Sequence, residues 1–169
     1  MEQLHVVHPF APVFDAHSRV LVLGSLPSVR SRENHFYYGH PQNRFWRVLA
    51  AVFHSDVPQT VEEKTALLLK NGVALWDVIA ECDVSGSSDA SIRAAVPNDL
   101  SRILSRCRIE HIYANGQTAA KLYTRLQAPL SGMAITPLPS TSPANAAWTL
   151  PKLCDAWQVL RMKTPPGSS

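Results

Sequence analysis

The sequence predicts one α/β domain, a largely parallel sheet with helices on both faces. Three observations lead there: short apolar runs recur along the chain, segments of helical periodicity separate them, and most connections are short. Composition agrees. With 169 residues, 46% hydrophobic and 17% charged, the chain is long enough to bury one core and is neither disordered nor coiled coil. The expected domain covers residues 1–163, with 164–169 as a frayed tail.

The first strand is read at Arg19–Leu23, an aliphatic run broken by Gly24 and Pro27. A helix is expected from near Asn43, where Phe45, Trp46, Val48, Leu49 and Phe53 fit a 3.6-residue period. A second spans Val61–Lys70, because Thr60 and Glu63 form a capping-box pattern and Asn71-Gly72 supplies a stop. Further strands are placed at Val73–Trp76, Ile109–Ala114 and Met133–Leu138. Helices follow at Asp99–Arg106, Thr118–Leu126 and Pro151–Met162, the last opening on a proline whose missing amide costs little there. In such a fold ligands bind beyond the carboxyl ends of the strands, so the functional loops should follow Leu23, Asp77, Ala114 and Leu138.

Several classes are disfavoured. No apolar run reaches the roughly 18 residues of a membrane span, and residues 1–8 lack a signal-peptide pattern, so a cytoplasmic protein without membrane contact is expected. Cys82, Cys107 and Cys154 are dispersed and read as reduced core thiols, and seven scattered histidines make a metal site improbable. There is no GxxxxGK[ST], GxGxxG, HExxH or GxSxG pattern. The net charge of +3 permits a polyanionic partner without demanding one.

The four loops are more informative. Loop one, Gly24 to Trp46, is far longer than an ordinary strand-to-helix connection and gathers Tyr37, Tyr38, His40, Asn43 and Arg44 near a helix N-terminus. It is either a binding loop with stacking faces or a structural loop with its aromatics turned inward. Asn43 could equally cap the helix behind it. Loop two carries Asp77, which either caps local backbone or reads a ligand. Loop three, Asn115-Gly116, reads as a turn and helix cap. Loop four, Pro139 to Asn145, is either a proline-stiffened turn or a backbone that can approach a phosphate. Arg30, Arg32, Arg44, Arg47 and Lys121 are read as surface charges and not assigned to a site.

Together GSLPS and YYGHPQNRFW in Val20 to Trp46, GVALWDVI in Gly72 to Ile79, ANGQTA in Ala114 to Ala119 and LPSTSPAN in Leu138 to Asn145 resemble the uracil-DNA glycosylase superfamily, and most closely its hypoxanthine (deoxyinosine) branch, family 6. The resemblance implies a four-stranded parallel sheet between helices. It also implies DNA as partner, a nucleotide flipped out of the duplex, and metal-free replacement of its base by water, with no cofactor and no obligate protein partner. Gly24, Ser25, Leu26, Tyr38, Asp77 and Ser140 would then surround the extruded nucleotide, with Tyr38 stacking on the base. Leu26 stands where relatives carry the water-holding asparagine or aspartate, which passes the catalytic role to Asn43. Ser140 replaces the histidine that classical members aim at the uracil carbonyl, and Asp77 stands where uracil-specific members place a base-reading asparagine. Ser142 and Pro143 match the Ser-Pro phosphate pinch, and Ala144 with Asn145 occupies the wedge. No lysine lies in the loop-one or loop-four motifs, so the expected enzyme is monofunctional, leaves an abasic site in base-excision repair, and prefers hypoxanthine. The alternatives are a uracil or mismatch glycosylase, a non-catalytic lesion-binding module, and a hydrolase of free nucleosides.

Overall fold

The computed structural model describes residues 4–7, 10–25, 36–84 and 93–162. In chain order the elements are β1 Leu4–Val7, β2 Val20–Gly24, α1 Phe45–Val52, α2 Val61–Lys70, β3 Val73–Asp77, β4 Ile79–Val84, β5 Arg93–Pro97, α3 Ser101–Leu104, β6 His111–Asn115, α4 Gln117–Leu126, α5 Ala128–Ser131, β7 Ile135–Leu138, α6 Leu150–Trp157 and α7 Val159–Met162. The expected α/β fold is present: β2, β3, β6 and β7 form a parallel sheet in the order β3-β2-β6-β7.

Strand β2 is central and every residue of it is buried, as is every residue of β3. Burial on both faces is why these segments read as continuous apolar runs and not as alternating ones. β7 is an edge strand, which is where Pro137, with no N–H to give a ladder, can be accommodated. Gly24 pairs with Asp77, Leu23 with Ala114 and Asn115 with Leu138, so the four carboxyl ends finish nearly level. Chain order reverses across β2, with β3 on one side and β6 on the other, and such a switch point opens a crevice at the strand ends.

The helices follow their local signals. Thr60 and Glu63 form both halves of the capping box, and Gly72 accepts the left-handed φ of 70° that ends α2. The sequence expectation for Asp99–Arg106 contracts to Ser101–Leu104, because the Asp99 carboxylate accepts from the Ser101 N–H and hydroxyl and forms a local turn instead. Pro151–Met162 is two helices, broken at Gln158. A second, antiparallel sheet in the order β1-β4-β5 was not legible, since β4 follows β3 with Val78 alone between them and irregular register with β5 leaves no clean alternation. The tail expected at 164–169 lies outside the described residues.

Trp157 joins the layers beneath the strand ends. It is fully buried, packs edge-on against Phe45 with ring centroids 5.8 Å apart, and donates its indole N–H to the Pro139 carbonyl at 3.0 Å. Trp157→Ala should therefore cost about 3–5 kcal/mol of stability, and Trp157→Phe, which keeps a ring but leaves that carbonyl bare, about 1–3 kcal/mol. Urea denaturation checks both, and a Trp157→Phe midpoint equal to that of the wild type would show that the indole bond contributes nothing.

Candidate functional site

The carboxyl ends of β2 and β3 meet at Gly24 and Asp77. A Cβ on Gly24 would lie 2.4 Å from Asp77 Oδ1 and 2.8 Å from the Tyr38 hydroxyl, so glycine is required by close approach. The Asp77 side chain thus leans across Gly24 beside Tyr38, with Asp77 only 3% exposed. Its main chain is held too: Asn98 Nδ2 donates to the carbonyls of Asp77 and Ile79 at 2.9 and 3.1 Å, and Gln127 Nε2 donates to that of Asn98 at 2.6 Å. Asn98 and Gln127 are buried and carried no signal in the sequence. Ser25 extends the pairing, its carbonyl accepting from the Ile79 N–H at 3.2 Å. Leu26 lies outside the described residues.

Tyr38 is a non-glycine residue at φ 54°, a conformation retained only where surrounding contacts fix it. Its ring stacks on Phe45 at a centroid distance of 4.1 Å and an interplanar angle of 24°. Tyr37 is no stacking candidate. It is buried, donates its hydroxyl to the Ala11 carbonyl at 2.8 Å, and has its phenol pushed far above the ordinary range by burial, with Asp77 adding to the effect. Of the two inward or outward readings of the loop-one aromatics, Tyr37 and Phe36 follow the inward one, packing with Phe10 and Trp46.

Phe45 also reaches the second half of the site. Its N–H donates to Asn43 Oδ1 at 3.0 Å, and Thr141 Oγ1 donates to the same oxygen at 2.8 Å. Thr141 is fully buried and is tied to the end of β6: its N–H donates to Asn115 Oδ1, and Asn115 Nδ2 donates to its Oγ1, both at 3.0 Å. The helix α1 begins at Phe45, one residue later than a cap at Asn43 would place it, with Arg44 at the cap position and no side-chain capping bond from Arg44. Asn43 still binds the first-turn N–H, so the capping contact is present alongside the contact to Thr141. Asn115 neither turns the chain nor caps α4, since Gly116 at φ 99° occupies the cap position. A Cβ there would come within 3.2 Å of Ser140 Cβ, which seats loop four against loop three.

Loop four is shaped by Arg44. Its guanidinium donates to the carbonyls of Thr141 at 3.4 Å, Ser142 at 2.9 Å, Asn145 at 3.1 Å and Trp148. The reading of Arg44 as a surface charge is therefore corrected: its planar fork is spent on main-chain oxygens. Within the loop Ser140 Oγ accepts from the Ser142 N–H, Ser142 Oγ from the Ala144 N–H, and Asn145 Nδ2 donates back to the Ser140 carbonyl. Pro143 and Ala144 are exposed at the tip, and Trp148 is 37% exposed at its end. His40 accepts at Nδ1 from the Gln42 N–H at 3.0 Å and shapes the turn leading to Asn43.

The structure so brings Gly24, Tyr38 and Asp77 together on one side and Asn43, Asn115, Ser140 and Ser142 on the other, with Phe45 between. The profile of the uracil DNA glycosylase superfamily matches residues 11–161. The chain belongs to that superfamily. It is similar to a protein of Methanosarcina acetivorans named hypoxanthine DNA glycosylase, 34% identical over 138 residues that make up 80% of this chain and 86% of the relative. It is likewise similar to a hypoxanthine DNA glycosylase of Methanosarcina barkeri, 37% identical over 93 residues, which cover 54% of this chain and 59% of that protein. A solution NMR structure from Methanosarcina acetivorans, provisionally described as a uracil DNA glycosylase, superposes with a TM-score of 0.72 at 30% identity, covering 90% of this chain and 96% of that one. The superfamily fold thus accounts for the level strand ends and the four loops gathered above them.

Arg44→Lys supplies one ammonium where a fork now reaches four carbonyls. It should lower stability by about 1.5–3 kcal/mol and increase proteolytic nicking within residues 142–148. Unchanged urea midpoint and cleavage pattern would mean that loop four holds its shape without the guanidinium.

Proposed function

We propose that this chain is a monofunctional DNA glycosylase that hydrolyses the N-glycosidic bond of a deaminated nucleotide flipped out of DNA, with hypoxanthine preferred, leaving an abasic site. The names of the two archaeal relatives support the substrate. The observation that carries the mechanism is the state of Asn43. A carbonyl oxygen has two lone pairs, and those of Asn43 Oδ1 accept from Phe45 N–H and Thr141 Oγ1–H. Of the two roles open to the amide, holding water through oxygen or donating through nitrogen, this favours donation from Nδ2.

Donation suits the reaction. As the glycosidic bond stretches, positive charge builds on the sugar and negative charge on the departing base, and a neutral, prepositioned N–H stabilises the latter without reorganising. Tyr38, backed by Phe45, offers a stacking face to the extruded base. Asp77 lies beside it, where an ionised carboxylate can accept from a ring N–H. Ser142, whose oxygen accepts from Ala144 N–H, keeps its own hydroxyl proton for a phosphate, and Pro143, Ala144 and Asn145 complete the DNA-facing turn.

Asn43→Asp retains an oxygen for Phe45 and Thr141 but cannot donate from nitrogen. It should slow single-turnover release of hypoxanthine by about 100- to 1000-fold, with a smaller change in lesion affinity. A folded variant that cleaves deoxyinosine DNA near the wild-type rate would remove Asn43 from the mechanism. Asp77→Asn should change the ratio of hypoxanthine to uracil release more than it changes the melting temperature. If both substrates fall equally while the melting temperature drops sharply, Asp77 serves the fold.

A further inference from the structure

We infer that Thr141, to which no role in the reaction has been assigned above, is a positioning residue that fixes which end of the Asn43 amide faces the departing base. An asparagine amide is nearly symmetric in shape, and only its hydrogen-bond partners decide whether oxygen or nitrogen points a given way. Here two backbone N–H groups, which can only donate, set the direction at both ends of a short chain of bonds. Thr141 N–H requires an acceptor and so assigns Oδ1 of Asn115 to itself, at 3.0 Å. The other end of that amide, Nδ2, must then face Thr141 Oγ1, at 3.0 Å. The hydroxyl accepts there, and its single proton is left to point at Asn43, 2.8 Å away. Phe45 N–H, at 3.0 Å, demands an acceptor at the same atom. The Asn43 oxygen is thereby turned toward the protein and its NH2 toward the crevice.

Placement makes the hydroxyl effective. Thr141 is fully buried, so water does not compete for its proton, and the bond it makes is stronger than a surface one. The residue links the carboxyl end of β6, the loop after β7 and the turn leading into α1, three segments that meet at the carboxyl ends of the strands. Phe45 N–H alone leaves the amide one anchor. The Thr141 hydroxyl supplies the second and removes the remaining lone pair from competition for water.

This inference rests on Asn43 being the catalytic amide, and the experiment separates the two claims. The expected results, in single-turnover cleavage of deoxyinosine DNA with enzyme saturating, are a loss approaching about 100-fold for Thr141→Val, near wild-type rate for Thr141→Ser, and little change in lesion Kd for either. Thr141→Val should add nothing further in an Asn43→Ala background, because a positioning residue acts only through its partner. Asn115→Asp tests the relay without touching Thr141: a carboxylate facing Oγ1 can only accept, which draws the hydroxyl proton away from Asn43 and should slow the same step. It also decides the matter if Thr141→Val fails to fold. Wild-type rates for Thr141→Val or Asn115→Asp, equal losses for Thr141→Ser and Thr141→Val, or additive losses with Asn43→Ala would each overturn the relay while leaving a slow Asn43→Ala to support the proposed reaction. A fast Asn43→Ala would instead overturn the catalytic assignment itself.

Discussion

Phe45 carries contacts in opposite directions, and both halves of the site depend on it. Its N–H holds the Asn43 oxygen, while its ring backs Tyr38 and packs edge-on against Trp46 and Trp157. Because Phe45 is the first residue of α1, the position of its N–H is fixed by the helix and that of its ring by the core. A shift in the packing of α1 would move the Tyr38 ring and the Asn43 amide together. The site is held by apolar burial as much as by hydrogen bonds, which is the arrangement expected where small displacements cost much reactivity.

The two strands β2 and β3 were legible because burial on both faces leaves unbroken aliphatic runs, Val20–Gly24 and Val73–Asp77. The capping box at Thr60 and the stop at Gly72 were legible because they are local, each needing only neighbours in sequence. The loops at the strand ends followed from topology. What stayed hidden was long-range. Arg44 reads as one more solvated charge until its partners at Thr141, Ser142, Asn145 and Trp148, roughly a hundred residues away, are in place. Thr141 is one hydroxyl among several in LPSTSPAN, and only the fold singles it out as the buried one. The antiparallel sheet was missed for the same reason, since β1 and β4 pair across more than seventy residues.

The site described is built from neutral groups. Amides of Asn43, Asn98, Asn115 and Gln127 and hydroxyls of Ser140, Thr141 and Ser142 form most of its bonded framework, with the Asp77 carboxylate and the Arg44 guanidinium as the charged exceptions. Each amide in that framework has a partner that settles its orientation, as a low-dielectric environment requires of buried polar atoms.

The grip of Arg44 on loop four has a consequence for how such a protein can diverge. Every oxygen it holds belongs to the main chain. The clamp is thus blind to which side chains the loop displays, and positions such as Pro143, Ala144, Ala146 and Ala147, all exposed, carry none of its contacts. Architecture and display are written in different parts of the same segment, residues 139–148. Mutational drift at the tip can change what the loop displays while its curvature is inherited unchanged, so display varies without the fold having to be solved again.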